Sequence, residues 1–177
     1  MTLQEYFQTP ETVLPQELIY GVMRVAESPS PTHQETVGAF HIALHEHVRR
    51  RGLGQVWLSP LDVIFDADRA LVLQPDLFVI LNGGAAVVGD KVRGAPDLVV
   101  EVLSPYPRIG KTVERVNWFR EYGVRECWLV EPFDRRIQVL RMEAREMTSR
   151  RTFGWDDAIV SGVLPEFDQT LMTMLGY

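Results

Sequence analysis

The stretch GAPDLVVEVLSP, Gly94 to Pro105, decides how the chain is read. It is an apolar run of strand composition broken by two acids, Asp97 and Glu101. Side chains of an extended strand alternate between faces, so Asp97, Val99, Glu101 and Leu103 share one face and Leu98, Val100 and Val102 the other. An ionised carboxylate withdrawn from water is costly unless it is paired, protonated or bound to a metal, and acids held in this way tend to mark sites. A second such run, LVLQPDLFVILN, spans Leu71 to Asn82, with Asp76 behind a proline just as Asp97 stands behind Pro96. The two strands are expected to bring Asp76 and Glu101 together around a divalent cation.

The composition suits one domain over residues 1–177: 46% of the residues are hydrophobic, enough for a sizeable core. The single cysteine, Cys127, lies in the apolar stretch ECWLV, which excludes a disulfide framework or a zinc-ligand spacing and reads as plain core in a reducing compartment. No 18-residue apolar run occurs, and Met1 to Pro10 lacks a basic segment followed by an apolar one. Neither a membrane span nor a secretion signal is therefore expected, and the protein is expected in the cytoplasm.

A net charge of −6 argues against a general nucleic-acid coat protein, whose affinity comes from phosphate neutralisation. The distribution says more. Residues 1–35 and 152–177 each carry a balance of −4, whereas residues 106–125 and 134–151 each carry +3. A basic middle next to the acid-bearing strands suits an anionic substrate.

Working outward, TLQEYF reads as a short helix and ELIYGVMRVAES as two strands turning near Gly21. After Ser28 to Pro31, Thr32 and Glu35 form a capping box for a helix whose apolar positions Val37, Phe40, Leu44 and Val48 carry it to Arg51, with Gly52 as its stop. Its polar face holds His33, His41, His45 and His47. His41 and His45 have chelating spacing but no third ligand to match, so they read as a solvated face, while His33 at the helix start is a second-tier site candidate.

The segments QVWLSPLDVIFD, ALVLQPDLFVILN and DLVVEVL read as consecutive strands of a meander. The loop SPYPRIG leads to KTVERVNWFREYGV, helical by the stripe Val113, Val116, Phe119 and Tyr122 and ended by Gly123. The buried strand ECWLVEP follows, so strand, helix and strand predict a parallel pair with a right-handed crossover. RIQVLRM and MTSRRTF are more exposed strands, and the tail ends in a short apolar helix. The fold predicted is α/β, a mixed central sheet flanked by helices.

Hydrolysis of a phosphodiester needs a metal on hard oxygen ligands, a water to attack, and a cation for the developing charge. Asp76 and Glu101 supply the ligands. Asp97 is a reserve, with an opening residue at the sheet rim as its plain alternative.

At these residues the chain resembles the Uma-type putative restriction endonuclease family, formerly a bacterial domain of unknown function. The resemblance runs from ELIYG and the SPSPTHQ helix start through QPDL, GAPDLVVEVLSP and YGVRECWLVEP to SGVLPEF. It implies a PD-(D/E)XK, restriction endonuclease-like fold and Mg²⁺- or Mn²⁺-dependent cleavage of DNA. The acids of the motif fall on Asp76 and Glu101, and the third position of E-x-K falls on Leu103. A typical member then carries an Asp and, four residues on, a Lys in the following helix. Here those places hold Lys111 and Arg115, swapped in kind, and Val22 stands where a Glu is usual after the hairpin glycine. Lys111 is the preferred assisting cation, because Arg does not act as a base, with Arg115 in reserve.

Three functions fit this pattern: a metal-dependent endonuclease on Asp76, Glu101 and Lys111; a catalytically decayed relative acting as a binding or assembly module; and a hydrolase of some other phosphorylated substrate. DNA is the expected partner. Trp118, Trp128 and Trp155 exceed what the core was expected to absorb, which leaves room for a homodimer.

Overall fold

The computed structural model describes residues 1–10, 14–104 and 111–176. In chain order its elements are α1 (Leu3–Phe7), β1 (Gln16–Ile19), β2 (Val22–Val25), α2 (Pro31–Arg50), β3 (Gly54–Leu58), β4 (Val63–Asp66), β5 (Leu71–Leu73), β6 (Leu77–Leu81), β7 (Val87–Val88), β8 (Val92–Arg93), β9 (Leu98–Val102), α3 (Thr112–Tyr122), β10 (Glu126–Glu131), β11 (Arg136–Glu143), β12 (Glu146–Phe153) and α4 (Leu171–Leu175). The loop SPYPRIG lies, beyond Ser104, outside the described residues.

The expected single sheet is two mixed sheets of six strands, β2-β1-β5-β4-β8-β7 and β12-β11-β10-β9-β6-β3. Proline is the reason. Pro60 divides QVWLSPLDVIFD into β3 and β4, and Pro75 divides LVLQPDLFVILN into β5 and β6, since a proline offers no N–H to a ladder. Each run crosses from one sheet to the other at its proline: β3 pairs antiparallel with β6, β4 with β5. The meander is thereby corrected to two stacked hairpins sharing two corners, held together where Ser59 N–H donates to the Asp76 carbonyl at 3.1 Å. Gly54 is required where β3 meets β6, because a Cβ there would sit 2.1 Å from the Ile80 carbonyl oxygen.

The alternation expected of β9 holds. Leu98, Val100 and Val102 enter a cluster with Val37, Phe40 and Leu44 of α2 and with Trp128, while Val99 and Leu103 face a cluster with Val116 and Phe119 of α3. The first sheet joins this second cluster through Ile19, Val63 and Leu71, and its outer face is covered by Tyr6 of α1. β9 and β10 are parallel, with Glu101 opposite Leu129, as a strand-helix-strand order requires. Gly123 ends α3 in the left-handed region at φ 97.

Two local expectations are corrected. The cap of α2 is Ser30, whose hydroxyl accepts from His33 N–H, and Pro31 rather than the Thr32 box opens the helix, since proline is pre-set for the first helical position. Trp128 is fully buried, edge-on to Phe40, so the core does absorb it. No helix among the described residues is long and apolar enough to cross a membrane.

Candidate active site

Asp76 occupies the corner after Pro75, one residue before β6. The antiparallel register of Leu77 with Val100 sets it across from Glu101 of β9. Its carboxylate continues the ladder that the proline interrupts: Oδ2 accepts from Val102 N–H at 2.8 Å. The same oxygen lies 3.1 Å from His33 Nε2, on the first turn of α2. His33 and Asp76 are both buried, so the cap that fixes the helix start also fixes a ring against the acid.

Glu101 projects from the other end of that register pair, on the α3 side of β9. Its Oε1 accepts from Arg115 Nη2 at 2.7 Å, and Arg115 Nη1 donates at 2.7 Å to Oε2 of Glu17, a β1 residue only 2% exposed. Glu17 Oε1 in turn accepts from Gln74 N–H at 2.7 Å. One guanidinium thus bridges two carboxylates from different sheets. Its planar fork suits this, where an ammonium would supply one point of contact.

Electrostatics separates the partners. Burial pushes the Glu101 carboxyl up to about 7; Arg115 opposes the rise, and the neighbouring charges of Asp76 and Glu17 add to it. Arg115 is held above its usual range despite its burial, because the two carboxylates stabilise the cation. Glu101 and Glu17 therefore share one fixed positive charge.

Lys111 is exposed at the N-cap of α3, where its carbonyl accepts from Arg115 N–H at 3.1 Å. The structure brings Arg115, not Lys111, into contact with Glu101. Asp97 is buried but apart: its carboxylate accepts from Leu81 N–H at 2.9 Å and from Arg125 at 3.1 Å. Four residues before Glu101, it lies about 13 Å away along the strand. Leu103 packs into the α3 cluster, Val22 is exposed, and Cys127 is enclosed in the core with its thiol pushed up chiefly by burial. His41 and His45 stand side by side, with ring centroids 5.6 Å apart, on the outer face of α2.

Glu17 is the residue that sequence reasoning missed. It shares a face with Ile19, which enters the same apolar cluster as Val99, so the signal that singled out Glu101, an acid on the inward face of a strand, was present in ELI as well.

The donor set fits a hard divalent cation. Two carboxylates on register-opposed residues carry oxygen ligands, and Oε2 of Glu101 has no partner among the described residues. No group of three or more His, Cys, Asp or Glu side chains arranged for a metal occurs among the described residues. Two carboxylates with water completing the shell match Mg²⁺, which seldom takes an all-protein cage.

A model of the Uma2 family, described as "Putative restriction endonuclease", matches residues 3–173. The crystal structure of a putative nuclease belonging to DUF820 from Anabaena variabilis ATCC 29413 is similar, with a TM-score of 0.81 at 20% sequence identity, covering 99% of this chain and 97% of that chain. At that identity the likeness speaks to the fold. No curated protein matches the chain.

Proposed function

The chain belongs to the Uma2 family of putative restriction endonucleases, and from that membership we propose that it is a Mg²⁺- or Mn²⁺-dependent endonuclease hydrolysing DNA phosphodiester bonds at Asp76, Glu101 and Arg115. The observation that carries this reading is the meeting of Asp76 and Glu101 across one register step, with the Arg115 guanidinium 2.7 Å from Glu101.

Asp76 and Glu101 would hold the cation, which when bound polarises the phosphate and supplies a water acidic enough to attack at neutral pH. Val102 N–H and His33 fix the Asp76 carboxylate so that it needs no reorganisation when substrate arrives. Arg115 opposes the rise that burial imposes on the Glu101 carboxyl and offers a permanent cation to charge developing on the phosphate. It takes no proton from water, since a guanidinium is not a base. Lys111, exposed at the helix start, contributes a second positive charge at the rim.

A second reading rests on Glu17. Because Glu17 and Glu101 share Arg115, the acids are already partly neutralised, as expected of a decayed nuclease retained as a binding or assembly module. Nicking of supercoiled plasmid separates the two. The endonuclease reading expects conversion to open circles with Mg²⁺ or Mn²⁺, none in EDTA, and loss in Glu101→Ala and Asp76→Asn. Absence of cleavage with either metal, alongside DNA binding indifferent to both substitutions, would establish the module instead.

A further inference from the structure

An arginine and a carboxylate commonly meet side by side, two parallel N–H groups on the two oxygens of one acid. Arg115 and Glu101 do not. Arg115 gives Glu101 a single contact, Nη2 to Oε1 at 2.7 Å, and turns its other terminal nitrogen to Glu17, Nη1 to Oε2 at 2.7 Å. The remaining N–H, on Nε, is buried and has no hydrogen-bond partner among the described residues. A fork closed on Glu101 through Nε and Nη2 would satisfy that donor, and leaving a buried donor unpaired is costly. The split arrangement therefore needs a second group that holds the guanidinium open.

Glu17 is that group. β1 presents it on the face toward α3, where its neighbour Ile19 joins the cluster of Val116 and Phe119. Its carboxylate is anchored from the other side as well: Oε1 accepts from Gln74 N–H at 2.7 Å, and the side chain is 3% exposed. Fixed by its strand and by a backbone donor, Glu17 has one oxygen left for Arg115. The consequence falls on Glu101. With Nη1 committed elsewhere, Oε2 of Glu101 accepts from no described group and is not sealed from solvent, the side chain being 13% exposed. A cation shared with Asp76 would take this oxygen.

We infer that Glu17 is a positioning residue of the metal site: by holding one arm of Arg115 it keeps Oε2 of Glu101 open for the divalent cation. The inference rests on the metal site of the endonuclease reading, and it adds how a guanidinium can stand there without competing with the metal for both oxygens of one acid. Glu17 acts through Arg115 and has no need to touch metal or substrate. A lysine at position 115 would require no such restraint, because an ammonium is a point charge and not a planar fork.

The test is calorimetric titration of Mn²⁺ into the full chain at pH 8 without DNA, for the wild type, Glu17→Gln, Arg115→Lys and the double variant, beside plasmid nicking by the same preparations. Glu17→Gln keeps the shape and an acceptor for Gln74 N–H but grips Arg115 less, and it is expected to weaken Mn²⁺ binding about tenfold, the usual effect of removing a partner behind a metal ligand. In the Arg115→Lys background the same substitution is expected to change binding less than about threefold, because an ammonium cannot close on both oxygens in one plane. Equal losses in both backgrounds, the mark of a merely structural role, would overturn the inference, as would Glu17→Gln protein that binds Mn²⁺ like the wild type. Should Glu17→Gln not fold, Arg115→Lys alone decides: binding as tight as the wild type is expected, and a clear loss overturns the inference. If the wild type binds Mn²⁺ and nicks plasmid while the Glu17 pattern fails, the endonuclease reading stands without it. If the wild type neither binds Mn²⁺ nor nicks, both fall together.

Discussion

Glu17 and Arg115 should be strongly coupled, and a double-mutant cycle measures it. Arg115 is 11% exposed at its side chain and Glu17 3%, so the pair escapes most solvent screening. Arg115→Met strands Glu17 and Glu101 without their cation, and breaking a buried pair from one side costs about 3–5 kcal/mol. Glu17→Gln keeps an acceptor for Gln74 N–H but exchanges a charge-assisted bond to Arg115 for a neutral one, a loss of about 2 kcal/mol. In the double variant the buried charge on Glu17 no longer exists to be stranded, so the combined cost should fall short of the sum by about 2 kcal/mol. Urea unfolding of the four proteins at pH 8 gives the coupling directly. For a domain of this size Arg115→Met alone should lower Tm by about 6–20 °C. The coupling should also persist in 1 M NaCl, where free charges are screened within about 3 Å. Additivity within about 0.5 kcal/mol, the behaviour of independent sites, would refute the bridge.

Stability should also depend on pH through Glu101. Its folded value, about 7, lies above the ordinary 4.5, so the folded protein binds a proton that the unfolded chain has released between those values. The associated stability is present below about 4.5 and lost as pH rises through about 7, at most on the order of 3 kcal/mol. Metal-free protein should show that decline in its urea midpoint between pH 5 and 8, and Glu101→Gln should flatten it. In plasmid nicking, Arg115→Met should cost about 100-fold and Lys111→Ala under about 10-fold, because one cation touches Glu101 and the other is exposed at the helix cap; the reverse order would return the assisting role to Lys111. Ser30→Ala removes the acceptor for His33 N–H and should cost about 1 kcal/mol in thermal unfolding, with a parallel rise in the metal concentration needed for nicking as His33 loses its hold beside Asp76.

Local periodicity made most of the elements legible. The α2 stripe, the glycine end of α3, the hairpin near Gly21 and the parallel β9–β10 pair follow from spacing and stop signals within a dozen residues, and the same spacing separated Glu101 from its apolar neighbours. The corners were not legible, because a proline says that a ladder stops without saying which sheet the chain enters next. Lys111 and Arg115 were indistinguishable for a similar reason. Residues four apart share a helix face only when both are inside the helix, and Lys111 is its cap.

By itself, then, the sequence determined which side chains are obliged to find partners: acids on the inward faces of strands. Alternation and burial cost are local properties, and they single out Glu101 and Asp76 without coordinates. Tertiary structure alone decided what those partners are. Glu17 and Arg115 are 98 positions apart and meet because the N-terminal hairpin folds into a second sheet over α3. That meeting depends on how two prolines redirect the chain, and no spacing rule within either segment encodes it.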